Sequence, residues 1–387
     1  MNFQVTNDIT FVGVSDNITD LFEGQYKIPD GITYNSYIIK DKKTAVVDSV
    51  DHRFCDEWFE KIDKELSGKE PDYLIVQHME PDHSSSIDKF ADRYKNSVIV
   101  SSAKAFAMMG QFFGTEYEDR RIVTGADTTL ELGSHILKFI PAPMVHWPEV
   151  MMTYDEKDKI LFSADGFGKF GIPSSPDNAE NWADEARRYY IGIVGKYGMP
   201  VQTVLKKAAG LDIKIICPLH GPVLKDNLSH YLGLYDIWSS YKAEEEGVCI
   251  AYTSVYGNTK RAAEKLYGIL KEKNIPVVIH DLARSDMSCA VADAFRYDRL
   301  VLATTTYNAE IFPFMREFIA HLTERGFKNR KVGLIENGSW ASVAAKKMKE
   351  LLPAEPAITY TQTTVSIKSA LNEQSEAQLL KLAEEME

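Results

Sequence analysis

The chain has 387 residues, of which 44% are hydrophobic, and a formal net charge of −12 at pH 7. This length favours two domains, and the apolar content is sufficient for folded cores rather than disorder. The negative charge argues against nucleic acid and anionic membranes as partners. No apolar run approaches the roughly 20 residues that span a bilayer, and residues 1–6 lack the features of a signal peptide. We therefore expect a cytoplasmic protein.

The four cysteines, Cys55, Cys217, Cys249 and Cys289, contain no C-x-x-C pair. This spacing argues against a disulfide framework, a zinc ribbon, a rubredoxin knuckle and an iron–sulfur site.

The first part of the chain, to about residue 241, alternates strand-like and helical stretches. Strands are predicted at 9–14, 33–39 and 44–48, an amphipathic helix at 54–66 and a short buried strand at 73–76. Directly after that buried strand comes the pattern His-x-Glu-x-Asp-His, formed by His78, Glu80, Asp82 and His83. Spacing of i, i+2 and i+4 places ligands on one side of an extended segment, so we interpret these four residues as metal ligands.

Three further candidate ligands follow the apolar strands predicted at 135–140, 159–163 and 213–217. They are His146, Asp165 and His220. One such residue alone is usually a turn residue or a hydrogen-bonded histidine, but the repetition at strand ends indicates a shared site. His52, His135, His230, His280 and His321 lie outside the pattern and are interpreted as ordinary surface or packing histidines.

The order of these seven residues resembles that of the metallo-β-lactamase superfamily, an αββα sandwich with a two-metal site. The resemblance implies that His78, Glu80 and His146 bind one metal, that Asp82, His83 and His220 bind the other, and that Asp165 bridges them. Glu80 stands where the zinc hydrolases of the superfamily usually have a second histidine. A site of imidazoles and carboxylates suits iron, although zinc also accepts such ligands.

A new series of strands and helices begins after a charged hinge at residues 242–247 and predicts a doubly wound, five-stranded parallel sheet. Its strands are predicted at 248–252, 277–280, 299–304, 331–335 and 364–367. We place the domain boundary between residues 246 and 247.

Three loops at strand ends of this second domain resemble the FMN-binding loops of flavodoxin. The first is Thr253, Ser254, Val255, Tyr256, Gly257, Asn258 and Thr259, the second is Thr304, Thr305, Thr306, Tyr307 and Asn308, and the third is Asn337, Gly338, Ser339 and Trp340. The hydroxyl and amide groups of the first loop, at a helix start, form a phosphate cradle. The loop is neither a P-loop nor a dinucleotide fingerprint. The other two loops would flank the cofactor at the topological switch point, where Tyr307 and Trp340 would pack on a flat ring.

The two halves together resemble the flavodiiron proteins over essentially the whole chain. The resemblance implies FMN and two non-haem iron ions as cofactors, and reduction of nitric oxide to nitrous oxide, of dioxygen to water, or of both, in an anaerobe. It also implies rubredoxin or reduced coenzyme F420 as electron donor, and a head-to-tail homodimer or a dimer of dimers. Within the family, the histidine equivalent to His83 coordinates iron in some members and turns away in others.

Two alternatives stay open at the level of the sequence. One is a zinc hydrolase of the β-lactamase fold with an accessory flavin domain, against which Glu80 counts. The other is a non-enzymatic FMN electron carrier with a vestigial metal domain, against which the complete set of seven ligands counts. Nothing in the residue types separates a preference for nitric oxide from one for dioxygen.

Overall fold

The structure is a computed structural model that describes residues 3–125 and 127–387. The chain divides into two compact units, one comprising Met199–Tyr235 with the residues up to Tyr190, and the other comprising Ile191–Gly198 with Asp236–Glu387. The predicted domain boundary between residues 246 and 247 stays a prediction. Among the described residues, no helix combines the length and the apolar character that a bilayer crossing requires.

The first part of the chain contains sixteen strands within the described residues. In chain order they are β1 Phe3–Gln4, β2 Ile9–Phe11, β3 Val14–Asp16, β4 Leu21–Phe22, β5 Tyr26–Lys27, β6 Ile32–Tyr34, β7 Tyr37–Lys40, β8 Thr44–Val47, β9 Tyr73–Ile75, β10 Val98–Ser102, β11 Arg121–Thr124, β12 Thr129–Glu131, β13 Ile136–Pro141, β14 Met151–Asp155, β15 Ile160–Phe162 and β16 Ile215–Cys217. The helices are α1 Cys55–Leu66, α2 Pro81–Ser84, α3 Ile87–Arg93, α4 Ala103–Phe113, α5 Trp182–Tyr189, α6 Gly198–Ala208 and α7 Leu228–Ser239.

Two sheets form the sandwich. One has the strand order β1-β2-β7-β8-β9-β10-β11 and the other the order β12-β13-β14-β15-β16, while β3 pairs with β6 and β4 with β5. The inner faces share one core, to which Val47, Ile75 and Val100 contribute from the first sheet and Phe139 and Phe162 from the second. Burial of such apolar side chains, at about 25 cal/mol per Å² removed from water, holds the two sheets together. The predicted sandwich is confirmed.

The helical stretch after Asp165 is not one regular helix. The sequence predicts helix over 182–197, but α5 ends at Tyr189 and is followed by a π-helical turn, Tyr190–Val194, and a 3-10 turn, Gly195–Tyr197. A π-helical turn takes more residues per turn than an α-helix, so the side chains after Tyr189 point in directions other than those that a continuous helix gives.

The last part of the chain is the predicted doubly wound domain. Its elements are β17 Glu245–Tyr252, α8 Asn258–Glu272, β18 Val277–Asp281, α9 Met287–Arg296, β19 Tyr297–Tyr307, β20 Glu310–Ile311, α10 Pro313–Glu324, β21 Arg330–Asn337, α11 Ala344–Leu351, β22 Ile358–Ile367 and α12 Glu373–Glu385. The parallel strands have the order β18-β17-β19-β21-β22, which is the flavodoxin-like order 2-1-3-4-5. The short β20 pairs antiparallel with β19.

Candidate metal and flavin sites

The His-x-Glu-x-Asp-His pattern changes conformation in its middle. The predicted strand end is observed, since β9 ends at Ile75, but α2 begins at Pro81, with Glu80 in extended conformation as its N-cap. Proline is favoured at the first position of a helix, where its missing N–H costs nothing. The expected extended segment is therefore wrong beyond Glu80. Because of this change, His78 and Glu80 join one group of ligands whereas Asp82 and His83 join another.

The first triad consists of His78, Glu80 and His146. The Glu80 Oε2 atom lies 3.2 Å from His78 Nε2 and 3.0 Å from His146 Nε2. Glu80 and His78 follow a strand of the first sheet, and His146 follows β13 of the second. The ligand atoms of these three residues and Asp165 all lie within 4.8 Å of one another, a spacing that a single metal ion can bridge.

The second triad consists of Asp82, His83 and His220. The Nε2 atoms of the two histidines are 3.0 Å apart, and each lies 3.3 Å from Asp82 Oδ2. All three side chains are largely removed from solvent, with both histidines fully buried. Two imidazole nitrogens and a carboxylate oxygen that converge in this way form a donor set that suits a metal ion.

Asp165 lies between the triads and is directed at both. Its Oδ2 atom is 3.1 Å from His146 Nε2 and 3.6 Å from His78 Nε2, whereas its Oδ1 atom is 3.3 Å from His83 Nε2. Asp165 Oδ1 and both carboxylate oxygens of Asp82 are buried without a hydrogen-bond partner among the described residues. Unsatisfied buried oxygens of this kind are costly unless a cation binds them. The donor set therefore fits two metal ions that share one bridging carboxylate.

The charges of the site also favour cations. Burial disfavours the charged forms of the imidazoles, yet Asp165 and Glu80 raise the pKa of His78 well above its usual value and that of His146 to about 9. Burial would likewise raise the pKa of Asp165, but the facing histidines hold it well below its ordinary value. Carboxylates that attract positive charge this strongly in a buried space are typical of a metal site.

The predicted flavin loops surround one cavity of about 520 Å³. Thirteen of the sixteen predicted residues line it, namely Ser254, Val255, Tyr256, Asn258, Thr259, Thr305, Thr306, Tyr307, Asn308, Asn337, Gly338, Ser339 and Trp340, and so do Ala309, Ala341 and Ser369. Of the remaining three, Thr253 and Thr304 lie buried beneath the loops with their hydroxyl oxygens 2.6 Å apart, and Gly257 is the N-cap of α8. They support the cradle rather than lining it.

The lining of the cavity combines two kinds of chemistry. The helix α8 begins at Asn258 without a side-chain cap and without an acidic residue in its first turn, which leaves backbone N–H groups for an anion. Two aromatic side chains of the lining are open to solvent, Trp340 at 83% and Tyr307 at 45% exposure. Large aromatic side chains at a cavity rim favour a flat ring that covers them, so the cavity fits a phosphorylated aromatic cofactor.

Known proteins match both halves. Residues 32–221 match the family model described as "ODP family beta lactamase", and residues 249–372 match a flavodoxin domain. An uncharacterised protein of Methanocaldococcus jannaschii is 32% identical over 91% of this chain and 89% of its own length. An anaerobic nitric oxide reductase flavorubredoxin of Salmonella paratyphi B is 28% identical over 91% of this chain and 75% of its own length.

Solved structures match the whole chain. A flavo di-iron protein variant of Thermotoga maritima superposes with a TM-score of 0.90 at 25% identity, covering 100% of this chain and 99% of its own. The chain belongs to the flavodiiron protein family. A rubredoxin:oxygen oxidoreductase of Desulfovibrio gigas shares the fold, with a TM-score of 0.90 at 23% identity over 100% of this chain and 98% of its own. The predicted family and fold are confirmed, and the protein is an oxidoreductase.

This flavodiiron protein contains residues near the metal site that the sequence did not reveal. Glu149, which follows His146 on the segment before β14, accepts a hydrogen bond from the ring of His78. Glu23 lies on the hairpin of β4 and β5, and loss of water together with the charge of Glu80 raises its pKa to about 7. Both contacts join positions more than 50 residues apart in the chain, so no local pattern could have indicated them.

Tyr189 is a third such residue. Its ring packs against that of His220, with centroids 5.4 Å apart, and it is fully buried. Burial, and then the charges of Asp165, Glu80 and Asp82, raise its pKa well above 10, so the hydroxyl stays protonated. This hydroxyl has no hydrogen-bond partner among the described residues. Tyr189 is the last residue of α5, and this tyrosine lies beside the candidate ligand His220.

We expect Tyr189→Phe to slow gas reduction by the flavodiiron protein at least about tenfold, because one preorganised donor at a reaction centre typically contributes this much or more. The same change should leave stability unaltered or raise it by about 1 kcal/mol, since it removes an unsatisfied buried hydroxyl. Turnover of nitric oxide and of dioxygen, together with thermal unfolding, measures both effects. Tyr190→Phe is the matched control. Full turnover in the Tyr189 variant would show that the hydroxyl takes no part.

Proposed function

We propose that this flavodiiron protein reduces nitric oxide to nitrous oxide, dioxygen to water, or both, at a non-haem di-iron site that receives electrons through FMN. The observation that carries the proposal is the pair of ligand triads on the two sides of Asp165, with one carboxylate oxygen directed at each. The flavodoxin domain and its cavity support FMN as the cofactor. The flavorubredoxin relative, named as an anaerobic nitric oxide reductase, supports the substrate class.

The seven ligands have distinct tasks in this proposal. His78, Glu80 and His146 would hold one iron, Asp82, His83 and His220 would hold the other, and Asp165 would bind both. Carboxylates suit iron better than an all-imidazole set does, and they offset the positive charge of both metals within a buried site. Three residues and a shared carboxylate for each metal would leave coordination positions free for a small gas.

Iron supplies open coordination positions and FMN supplies electrons one at a time. The protein contributes the surroundings. Two nitric oxide molecules need two electrons and two protons to give nitrous oxide and water, and one dioxygen needs four of each to give two waters. Tyr189 Oη is a buried, protonated group without a hydrogen-bond partner among the described residues, and its ring packs on His220, so it would donate a hydrogen bond to a gas molecule at this site. The buried His78, His83 and His220 keep bulk water from the metals.

The test is anaerobic reduction of the iron-loaded protein, followed by nitric oxide or dioxygen in separate runs. Reoxidation of the flavin is followed by absorbance and nitrous oxide by gas chromatography. Rapid reoxidation with stoichiometric product is expected with at least one gas. Full zinc occupancy with little iron after anaerobic preparation, and no gas consumption, would instead favour a hydrolase of the β-lactamase fold.

The electron donor that we propose is a separate rubredoxin. Two relatives carry rubredoxin in their names, which supports this type of electron transfer. Reduced coenzyme F420 stays a prediction from the family resemblance. Reduction of the flavin by a purified rubredoxin with its reductase, compared with F420H₂ at equal concentration, distinguishes the two donors.

We also propose the head-to-tail dimer, in which FMN of one subunit serves the iron site of the other. The Glu80→Ala variant lacks an iron ligand. The Asn258→Asp variant has an added negative charge in the phosphate cradle. Each variant is therefore expected to be inactive as a homodimer. Co-expression of the two variants should restore part of it, because the mixed dimer then pairs an intact flavin domain with an intact metal domain across subunits. An inactive mixed dimer, with formation verified by differential tags, would contradict this arrangement.

A further inference from the structure

The ligand histidines differ in the hydrogen-bond partner of Nδ1, the ring nitrogen that faces away from the metals. His78 Nδ1 lies 2.8 Å from Glu149 Oε1, and His220 Nδ1 lies 2.7 Å from the main-chain oxygen of Thr33. His83 Nδ1 is buried and has no partner among the described residues. A carboxylate therefore backs an imidazole of the first triad, whereas the second triad has a neutral carbonyl behind one ring and no acceptor behind the other.

Glu149 is built into the site. The residue is 3% exposed, and its Oε1 atom also accepts the backbone N–H of Met79 at 2.9 Å. Met79 stands between the two ligands His78 and Glu80, so one carboxylate oxygen holds both the ring and the loop that carries the first triad. The main chain of Glu149 is fixed in turn, because its carbonyl oxygen accepts a hydrogen bond from the Ser102 hydroxyl at 2.9 Å.

This contact determines which nitrogen of His78 is free to bind a metal. An acceptor at Nδ1 fixes the proton there, which leaves the lone pair on Nε2, the atom that faces Glu80 and Asp165. A carboxylate behind a ligand imidazole also makes the ring a stronger electron donor than a carbonyl does. The Oε2 atom of Glu149 has no hydrogen-bond partner among the described residues, so its charge is not spread over other donors.

We propose that Glu149 is a positioning residue that makes the first triad the tighter of the two metal positions, so that this position fills first when the apoprotein takes up iron. The inference rests on the proposed di-iron site, but it does not depend on which gas is reduced. Loss of such a partner typically lowers metal affinity 10- to 100-fold, and we expect Glu149→Gln to weaken the first position by at least about tenfold.

The experiment isolates each position in turn. His220→Ala removes a ligand of the second triad and leaves the first position to be measured, whereas His146→Ala does the reverse. The dissociation constant of ferrous iron is determined anaerobically for each background, with and without Glu149→Gln, by competition with a chromophoric chelator. The Glu149→Gln substitution should raise the dissociation constant of ferrous iron at least about tenfold in the His220→Ala background. In the His146→Ala background the constant should change less than twofold.

Three outcomes would overturn the proposal. They are an unchanged dissociation constant in the His220→Ala background, equal weakening in both backgrounds, and a first position that binds iron more weakly than the second when Glu149 is intact. Glutamine keeps an acceptor for the Met79 N–H, so the exchange removes the charge without removing the support of the loop. Glu149→Ala removes both, and should weaken the first position further.

A spectroscopic readout separates positioning from general damage. With one equivalent of ⁵⁷Fe(II), the wild-type apoprotein should give one Mössbauer environment, and the Glu149→Gln protein should give two. Two environments in the wild type would contradict ordered filling. If the protein bound two irons in this order and yet reduced neither gas, the proposed function would fail while this inference stood.

Discussion

Glu80→Ala is expected to abolish reduction of nitric oxide and dioxygen while the flavin spectrum stays unchanged. Glu80 Oε2 lies 3.2 Å from His78 Nε2 and 3.0 Å from His146 Nε2. Asp165 faces both triads, whereas the Glu80 carboxylate belongs to the first triad alone. Without it, two imidazoles and half of a bridging aspartate remain, which is too little charge to hold ferrous iron. We expect a loss of at least about 100-fold in turnover, beyond what partners behind a ligand contribute.

Gas consumption by the reduced protein, iron content and visible absorbance measure the result. Glu60→Ala, an exposed glutamate of α1, is the matched control and should behave as wild type. Because the flavin cavity lies wholly in the other unit, a drop in flavin content would point to misfolding rather than to loss of a ligand. Undiminished gas consumption by the Glu80 variant would remove Glu80 from the catalytic centre.

The second large effect is expected at the flavin cradle, from Asn258→Asp. Asn258 is the first residue of α8 and lines the cavity. An aspartate at a helix start favours the helix itself, so the fold should be retained. The same charge opposes the phosphate of FMN, and like charges at close range cost on the order of 1–4 kcal/mol at protein surfaces. We expect FMN affinity to fall at least about tenfold, and gas reduction to fall with flavin content.

Arg261 places the expected loss at the low end of this range. Its guanidinium donates to the side-chain oxygen of Asn258, so it would offset part of the new negative charge. Titration of the apoprotein, followed by flavin fluorescence, gives the dissociation constant. Riboflavin, which lacks the phosphate, should bind the variant and the wild type equally.

Asn308→Asp makes the same isosteric change on the second loop of the cavity. Asn308 has a φ of 51°, a conformation that aspartate also tolerates. The substitution should therefore change FMN affinity less than threefold. Equal losses of FMN and riboflavin in the Asn258 variant would show that the phosphate does not lie in this cradle.

The convergence of the candidate metal ligands could be predicted from the sequence because they follow apolar strands. In a layered α/β fold the strand ends fix the loops, so His78, His146, Asp165 and His220 converge without any knowledge of side-chain packing. The division of the four neighbouring residues between two metals was implied by the family resemblance, but their spacing alone could not indicate it. That division depends on the switch from extended to helical backbone at Pro81.

Residues that support the ligands were harder to predict. Glu149 acts through a contact with a residue 71 positions away, and its own neighbourhood resembles any turn before a strand. Tyr189 was missed because a buried tyrosine on an amphipathic helix carries no local sign that its ring contacts His220, a residue far away in the chain. At the flavin cavity, loop position was predicted well, but the mutual hydrogen bond of Thr253 and Thr304 beneath the floor was not.

Both triads draw their ligands from both sheets of the sandwich. His78, Glu80, Asp82 and His83 follow β9, whereas His146, Asp165 and His220 follow strands of the opposite sheet. Iron bound there would link the two layers, in addition to the apolar core between them. Since a ligand that binds only the folded state stabilises it by an amount that grows with its concentration, the unfolding temperature of this domain is expected to rise with the concentration of ferrous iron.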